Sequence, residues 1–259
     1  MSYIWKYIQY LFKSKHRRGF GIHSPYVYYL MTMVIEDKHP YYRFSQVEAL
    51  RKILKKSSKK LLIKRDGVDG EEEVALSTIV EKSTYSPSYD QLLFRLSKFF
   101  HPQTIVEFGS SVGISTLYMA TPNSRTKVYA GEKEKSVSEL LEMNLSKTGV
   151  ENVQVYEDYK KQLANVTEDE IGLVYFGRMC VPNEIEKLYE EVEKKLVATS
   201  VVIISDIHKD KEKEMVWNKI RESAKVRVDL DLFFYGILIY NKDLQRETYN
   251  LYYTPPLFL

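Results

Sequence analysis

The stretch with the clearest chemical potential is Thr104-Ile-Val-Glu107-Phe-Gly109-Ser110-Ser111-Val-Gly113-Ile-Ser-Thr116, in which an apolar run ends in a carboxylate and passes through two glycines into a helix-compatible segment. Gly109 lets a backbone turn and approach a ligand closely, Gly113 permits close helix packing, and Ser110 and Ser111 are too small to obstruct. A nucleoside-type ligand suits such a loop. Glycines at this spacing also serve ordinary strand-to-helix turns, so the loop alone does not decide the matter.

A second acid, Glu132, follows the next apolar run, Lys127-Val-Tyr-Ala130-Gly131. An ionised carboxylate has two oxygens able to accept from the vicinal hydroxyls of a ribose. The plainer alternative is an acid favourably placed at a helix N-terminus, and Glu134 shares it. Glu157 and Asp158, after Val153 to Tyr156, stand where an adenine amino group would be reached, or are solvated loop carboxylates. Proton-transfer candidates are Asp206, His208 and His23. Each has a structural alternative: Asp206 as the N-cap of a helix over 211–220, His208 as an exposed loop residue, His23 as a turn residue packed under helices. Cys180, the one cysteine, follows an apolar strand and reads as buried rather than nucleophilic.

These residues need elements to position them. Strands are expected at 104–108, 127–130, 153–156, 173–176 and 201–205, separated by helices near 115–121, 135–147 and 183–196, with a helix over 89–100 in front. That alternation demands a parallel sheet covered by helices. Residues 226–233 and 235–240 are too close for a crossover and are expected to pair as an antiparallel hairpin. The fold class is therefore α/β, doubly wound, with a mostly parallel seven-stranded sheet and a reversed C-terminal hairpin.

Ahead of it lies a different region. Trp5, Ile8, Leu11 and Phe12 recur at helical spacing, a turn follows at Gly19 to Pro25, and helices are expected over 26–35 and 42–56. Gly67, Asp69 and Gly70 predict an exposed loop before a further helix over 72–82. The boundary falls at 84, giving a basic helical accessory region over 1–84 and an α/β domain over 85–259. Residues 1–65 carry 15 Lys and Arg against 3 Asp and Glu, or +12, while the remainder carries 23 against 32, or −9. Such asymmetry marks a nucleic-acid arm, an anionic-membrane contact, or a basic face docked on an acidic domain. The apolar and aromatic content favours packing over the nucleotide-loop face. Nucleic acid is unlikely because no base-stacking motif accompanies the charge.

At 259 residues, with 44% hydrophobic and 28% charged residues, the chain is able to bury a large core, which excludes extended disorder. The longest apolar run, 232–240, is about half the roughly 20 residues a membrane-crossing helix needs. One cysteine excludes an internal disulfide, and a reducing cytoplasm is the expected compartment.

Taken together, Glu107, Gly109, Gly113, Glu132 and the closing hairpin resemble the class I S-adenosylmethionine-dependent methyltransferases, in particular their small-molecule O-methyltransferase-like branch. Tyr89-Asp90-Gln91-Leu92-Leu93 and Ser205-Asp206-Ile207-His208 also match. The resemblance implies S-adenosylmethionine bound by Glu107, Gly109, Ser110, Ser111, Gly113, Glu132 and Asp158, and a small-molecule acceptor served by Asp206 or His208. The chain departs from the metal-dependent relatives after 173–176, where Gly177-Arg-Met-Cys180 stands in place of a carboxylate, and Ser205 precedes Asp206, so no metal is expected. Three other readings stay open: a binding module of the same fold that no longer catalyses, a nicotinamide-dependent dehydrogenase, and a nucleic-acid-modifying enzyme. The acceptor and the oligomeric state are not legible.

Overall fold

The computed structural model describes residues 3–14, 19–64, 70–166 and 171–253. The expected central strands form: β3 (Thr104–Phe108), β4 (Lys127–Gly131), β5 (Val153–Tyr156), β6 (Ile171–Phe176) and β7 (Leu196–Ser205), followed by β8 (Val228–Asp231), β9 (Tyr235–Ile239) and β10 (Glu247–Asn250). They join in the order β10-β8-β9-β7-β6-β3-β4-β5. Pairing is parallel from β7 to β5, and β9 runs antiparallel to both β7 and β8. Every residue of β3 is buried, Glu107 included, as suits the centre of a parallel sheet covered on both faces.

Among the described residues the sheet has eight strands rather than the expected seven. β10 adds in parallel to β8. Its sequence, Glu-Thr-Tyr-Asn, buries only Tyr249, so it shows no apolar run and only the sheet edge recruits it.

Helices α5 (Pro87–Phe100), α6 (Ile114–Ala120) and α7 (Lys135–Thr148) cover one face; α8 (Tyr159–Asn165), α9 (Pro182–Val192) and α10 (Lys211–Arg221) cover the other. Side-chain alternation assigns Ile105 to the first layer and Val106 and Phe108 to the second. Because β3 sits between β4 and β6, the chain leaves β3 toward one face and β6 toward the other, which opens a crevice at the carboxyl ends of these strands.

The N-terminal region is not wholly helical. Helices α1 (Tyr3–Lys13), α2 (Pro25–Leu30, continuing as a wider π turn to Ile35) and α3 (Tyr42–Lys56) form near their expected places, but the helix expected over 72–82 is split into strand β2 (Glu71–Ala75) and helix α4 (Leu76–Ser83). β2 pairs antiparallel with β1 (Lys60–Lys64). Three consecutive glutamates opposite lysine-flanked β1 match charge across the ladder, with Lys60 to Glu73 at 3.0 Å. The loop residues Gly67 and Asp69 lie outside the described residues.

This region packs onto the α/β domain. Val27, Leu30, Met31 and Ile35 are fully buried; at roughly 1.5–3 kcal/mol each, that burial far exceeds what a solvated arm retains. Arg51 makes a buried 2.7 Å ion pair with Asp90 on α5. The hydroxyl of Tyr10 donates to the carbonyls of Asp231 (2.8 Å) and Leu251. The β1–β2 hairpin leans on the start of α7: Lys64 N–H donates to Glu134 (2.9 Å) and Ser136 Oγ to the Leu62 carbonyl (2.6 Å). Among the described residues no helix is long and apolar enough to cross a membrane.

Candidate functional site

The crevice begins at the glycine loop. Gly109 and Gly113 both hold positive φ, at 71° and 90°. At Gly113 a Cβ would stand 2.4 Å from Leu141 Cδ1, so the start of α6 sits close against α7 only with glycine there. Asn144 of α7 donates to the Val112 carbonyl at 2.9 Å, and the N–H groups of Gly109 and Ser110 both donate to the Gly131 carbonyl, so the loop is tied to the end of β4.

Glu107 and Glu132 have different jobs within it. Glu107 is fully buried, and its two oxygens accept from Ser115 Oγ (2.5 Å) and Thr116 Oγ1 (2.6 Å). Burial raises its pKa to about 7 against the opposing pull of those hydroxyls. It fastens β3 to the first turn of α6 and thereby shapes the loop. Glu132 lies at the end of β4, buried, with one oxygen accepting from Ser111 N–H (2.8 Å) and the other from Glu134 N–H (3.0 Å). Burial raises its pKa as well, although both backbone donors work against it. Each Glu132 oxygen keeps a lone pair for a further donor.

The Ser111 hydroxyl is buried and has no hydrogen-bond partner, whereas that of Ser110 faces Glu107 and helps to hold its pKa down. Buried polar groups are satisfied in the great majority of cases, so an orphaned hydroxyl on a glycine loop is the kind of group a polar ligand would satisfy. Asp158 stands apart: it is exposed, and its Oδ1 accepts from Lys160 and Lys161 N–H as the N-cap of α8, which lowers its pKa.

Sequence reading missed the residues that close this half from below. Gln162 of α8, fully buried, donates from Nε2 to the carbonyls of Glu107 and Tyr129 on the paired strands β3 and β4, both at 2.8 Å. The Tyr159 ring lies edge-on to Phe108 at 5.2 Å, and Lys133 reaches over it to Glu184 (2.5 Å). Glutamine and tyrosine on a seven-residue helix carry no signal of such a role in the sequence.

The other half of the crevice is built from the ends of β6 and β7. Gly177 N–H donates to the Phe108 carbonyl (2.8 Å), and a Cβ at Gly177 would be 2.5 Å from the Gly109 carbonyl oxygen, so the approach of the two loops itself leaves no room for a carboxylate there. Asp206 is buried with φ of +57°, and it does not cap α10; Asp210 does, accepting from Lys213 N–H at 2.8 Å. Its Oδ1 accepts from the Tyr85 hydroxyl (2.6 Å) and its Oδ2 from Arg178 Nε (3.2 Å). Arg178 also donates to the Thr84 carbonyl (2.6 Å) and stacks over the Tyr85 ring at 4.3 Å. Burial, then the charge of Asp206, keeps the Tyr85 hydroxyl protonated.

His208 is half-buried rather than an exposed loop residue. Its Nε2 lies 2.7 Å from Asp231 and its Nδ1 3.4 Å from Glu214, with the ring stacked on Phe233. Burial by itself would lower its pKa, but the bond and charge of Asp231, then those of Glu214, outweigh it and raise the value. His23 is exposed in the turn before α2, remote in role from this network. Burial pushes the Cys180 thiol up to about 12, which leaves it un-ionised and unreactive. Lys213, in the first turn of α10, is the surprise: it is buried, its Nζ has no partner, and burial lowers its pKa even though the charge of Asp206 acts the other way. Among the described residues no three His, Cys, Asp or Glu side chains converge as a metal site.

No family model and no curated protein matches the chain by sequence. Solved structures do match its fold. An O-methyltransferase from Bacillus cereus in complex with SAH is 12% identical with a TM-score of 0.55, covering 82% of this chain and 96% of that one. The O-methyltransferase TomG from Streptomyces achromogenes, involved in tomaymycin synthesis and in complex with SAM, is 15% identical with a TM-score of 0.53, covering 82% and 92%. An SAH-bound methyltransferase from Podospora anserina is 11% identical with a TM-score of 0.54, covering 79% and 98%. The chain has the Rossmann-like methyltransferase fold.

Proposed function

We propose that this protein is an S-adenosylmethionine-dependent methyltransferase that acts on a small-molecule acceptor without a metal ion. The carrying observation is the orphaned, buried Ser111 hydroxyl beside a buried Glu132 with lone pairs to spare. In this reading residues 85–259 are the cofactor domain, residues 1–84 an accessory region over the sheet's carboxyl edge, and the reducing cytoplasm the compartment.

The residues present fit the cofactor. Glu132 accepts from the ribose hydroxyls, Ser110 and Ser111 hydrogen-bond its polar groups, Gly109 and Gly113 shape the loop, and Glu107 holds that loop from behind; Asp158 contributes through its uncapped oxygen at the adenine end. Bound there, S-adenosylmethionine supplies an electrophilic methyl carbon on a sulfonium. Asp206 is the proton acceptor for the incoming nucleophile, with Tyr85 and Arg178 fixing its carboxylate. His208, clamped between Asp231 and Glu214, positions the loop that carries Asp206.

A second reading, a binding module of this fold without turnover, is favoured by one observation: both Asp206 oxygens are already engaged inside the protein. Calorimetric titration with S-adenosylhomocysteine tests the shared premise, and absence of binding removes both readings. Methyl transfer from labelled S-adenosylmethionine to a panel of phenols, carboxylic acids and amines, with EDTA present, then separates them.

A further inference from the structure

Helix α1 has two faces of opposite fate. On the inner face Tyr7 lies edge-on to Phe233 at 4.8 Å, Tyr10 is buried with its hydroxyl bonded, and Lys6 pairs with Glu214 at 2.8 Å. On the outer face Trp5 is 53% and Phe12 87% exposed, with Ile8 partly exposed between them. The 5, 8, 12 spacing places all three in one stripe. Rings left in water together on one short helix mark a contact surface.

Charge identifies the partner. Lys13 is exposed at the end of the stripe, and the sequence between Phe12 and Phe20 also contains Lys15, Arg17 and Arg18. A second copy of the chain is disfavoured, because a two-fold contact through this stripe brings the two exposed Lys13 side chains to one seam. RNA is a poorer match than lipid, since Ile8 completes the stripe with an aliphatic side chain that stacks on no base. Aromatic and aliphatic residues on one face of a helix with cations beside them are the composition of a helix lying in an anionic bilayer surface. At 11 residues α1 is far too short to cross one.

We propose that α1 is an interfacial anchor: Trp5, Ile8 and Phe12 enter the headgroup boundary of an anionic membrane while the inner face stays docked on the α/β domain. This stands independently of the methyltransferase reading.

The full chain is titrated with phosphatidylcholine vesicles containing phosphatidylglycerol and, separately, with phosphatidylcholine alone, following tryptophan fluorescence and co-sedimentation. Trp217 is buried at 1% exposure, so a blue shift reports Trp5. The expected result is a blue shift and sedimentation with the anionic vesicles, weakened by salt, and a loss of about tenfold or more in partitioning for Trp5→Ser/Phe12→Ser at unchanged circular dichroism. No vesicle binding, or equal binding by that double variant, overturns the proposal. So does a concentration-dependent dimer, or binding to RNA alone, that the same substitutions abolish.

Discussion

The two halves of the crevice treat their polar groups in opposite ways. Around the glycine loop, polar capacity is left over: the Ser111 hydroxyl has no partner, and Glu132 retains acceptor capacity. At the ends of β6 and β7 the polar groups are spent on one another, with Asp206 held by Tyr85 and Arg178, and His208 held by Asp231 and Glu214. On the proposed reading, the half with polar capacity left over receives the cofactor, and the half that satisfies itself is already organised before an acceptor arrives. Binding and turnover are thus separable properties of this fold, and each half can be altered with the other as the control.

The largest effect belongs to Asp206→Asn, since asparagine tolerates the left-handed backbone while removing the basic carboxylate and one of the two oxygens that accept from Tyr85 and Arg178. Methyl transfer should fall about 10²–10⁴-fold, while calorimetric affinity for S-adenosylhomocysteine stays within a factor of about two. Turnover that survives this change would show the self-satisfied half to be scaffolding.

Glu132→Ala sharpens the contrast from the other side. It removes a charged acceptor and should weaken S-adenosylhomocysteine binding by about 1–3 kcal/mol, read by calorimetry; an unchanged dissociation constant would strip the loop half of its assigned ligand.

Lys213 breaks the pattern, being an unpaired amine within the half that is otherwise satisfied. Lys213→Met should therefore stabilise the fold by about 1–2 kcal/mol at neutral pH, because a buried amine without a partner is replaced by an apolar chain of similar length. Denaturant melts check this, and a loss of stability would mean that the amine has a partner in solution.

The smallest effect is in the pH dependence, where the two groups have opposite signs. His208 has a folded pKa above its ordinary 6.5, so its contribution is fully present below that value and is lost as pH rises through the folded pKa. Lys213 has a folded pKa below its ordinary 10.5; the unfolded chain binds the extra proton between the two values, and stability rises with pH across that window. His208→Gln should flatten the first slope and Lys213→Met the second, in melts across pH. The reverse assignment would refute the electrostatic picture of this half.

What the sequence alone determined is the part written in local pattern. The apolar stretch of β3 ahead of Glu107, the spacing of Glu107, Gly109 and Gly113, and the short interval between β8 and β9 each specify their element within a few residues, and that was enough for the sheet, its reversal and the strand-to-helix glycine turn. Tertiary structure decided the rest. β10 has no apolar run and exists because β8 offers an open edge; β2 replaces half of an expected helix because β1 offers a ladder for its glutamates. Asp206 reads as a helix cap until Tyr85, 121 residues away, donates to it. Gln162 and Lys213 acquire roles only from the backbone carbonyls and buried space that distant segments bring around them. Propensity and periodicity act between neighbours in the chain, while burial and hydrogen-bond satisfaction depend on which remote atoms exclude the water.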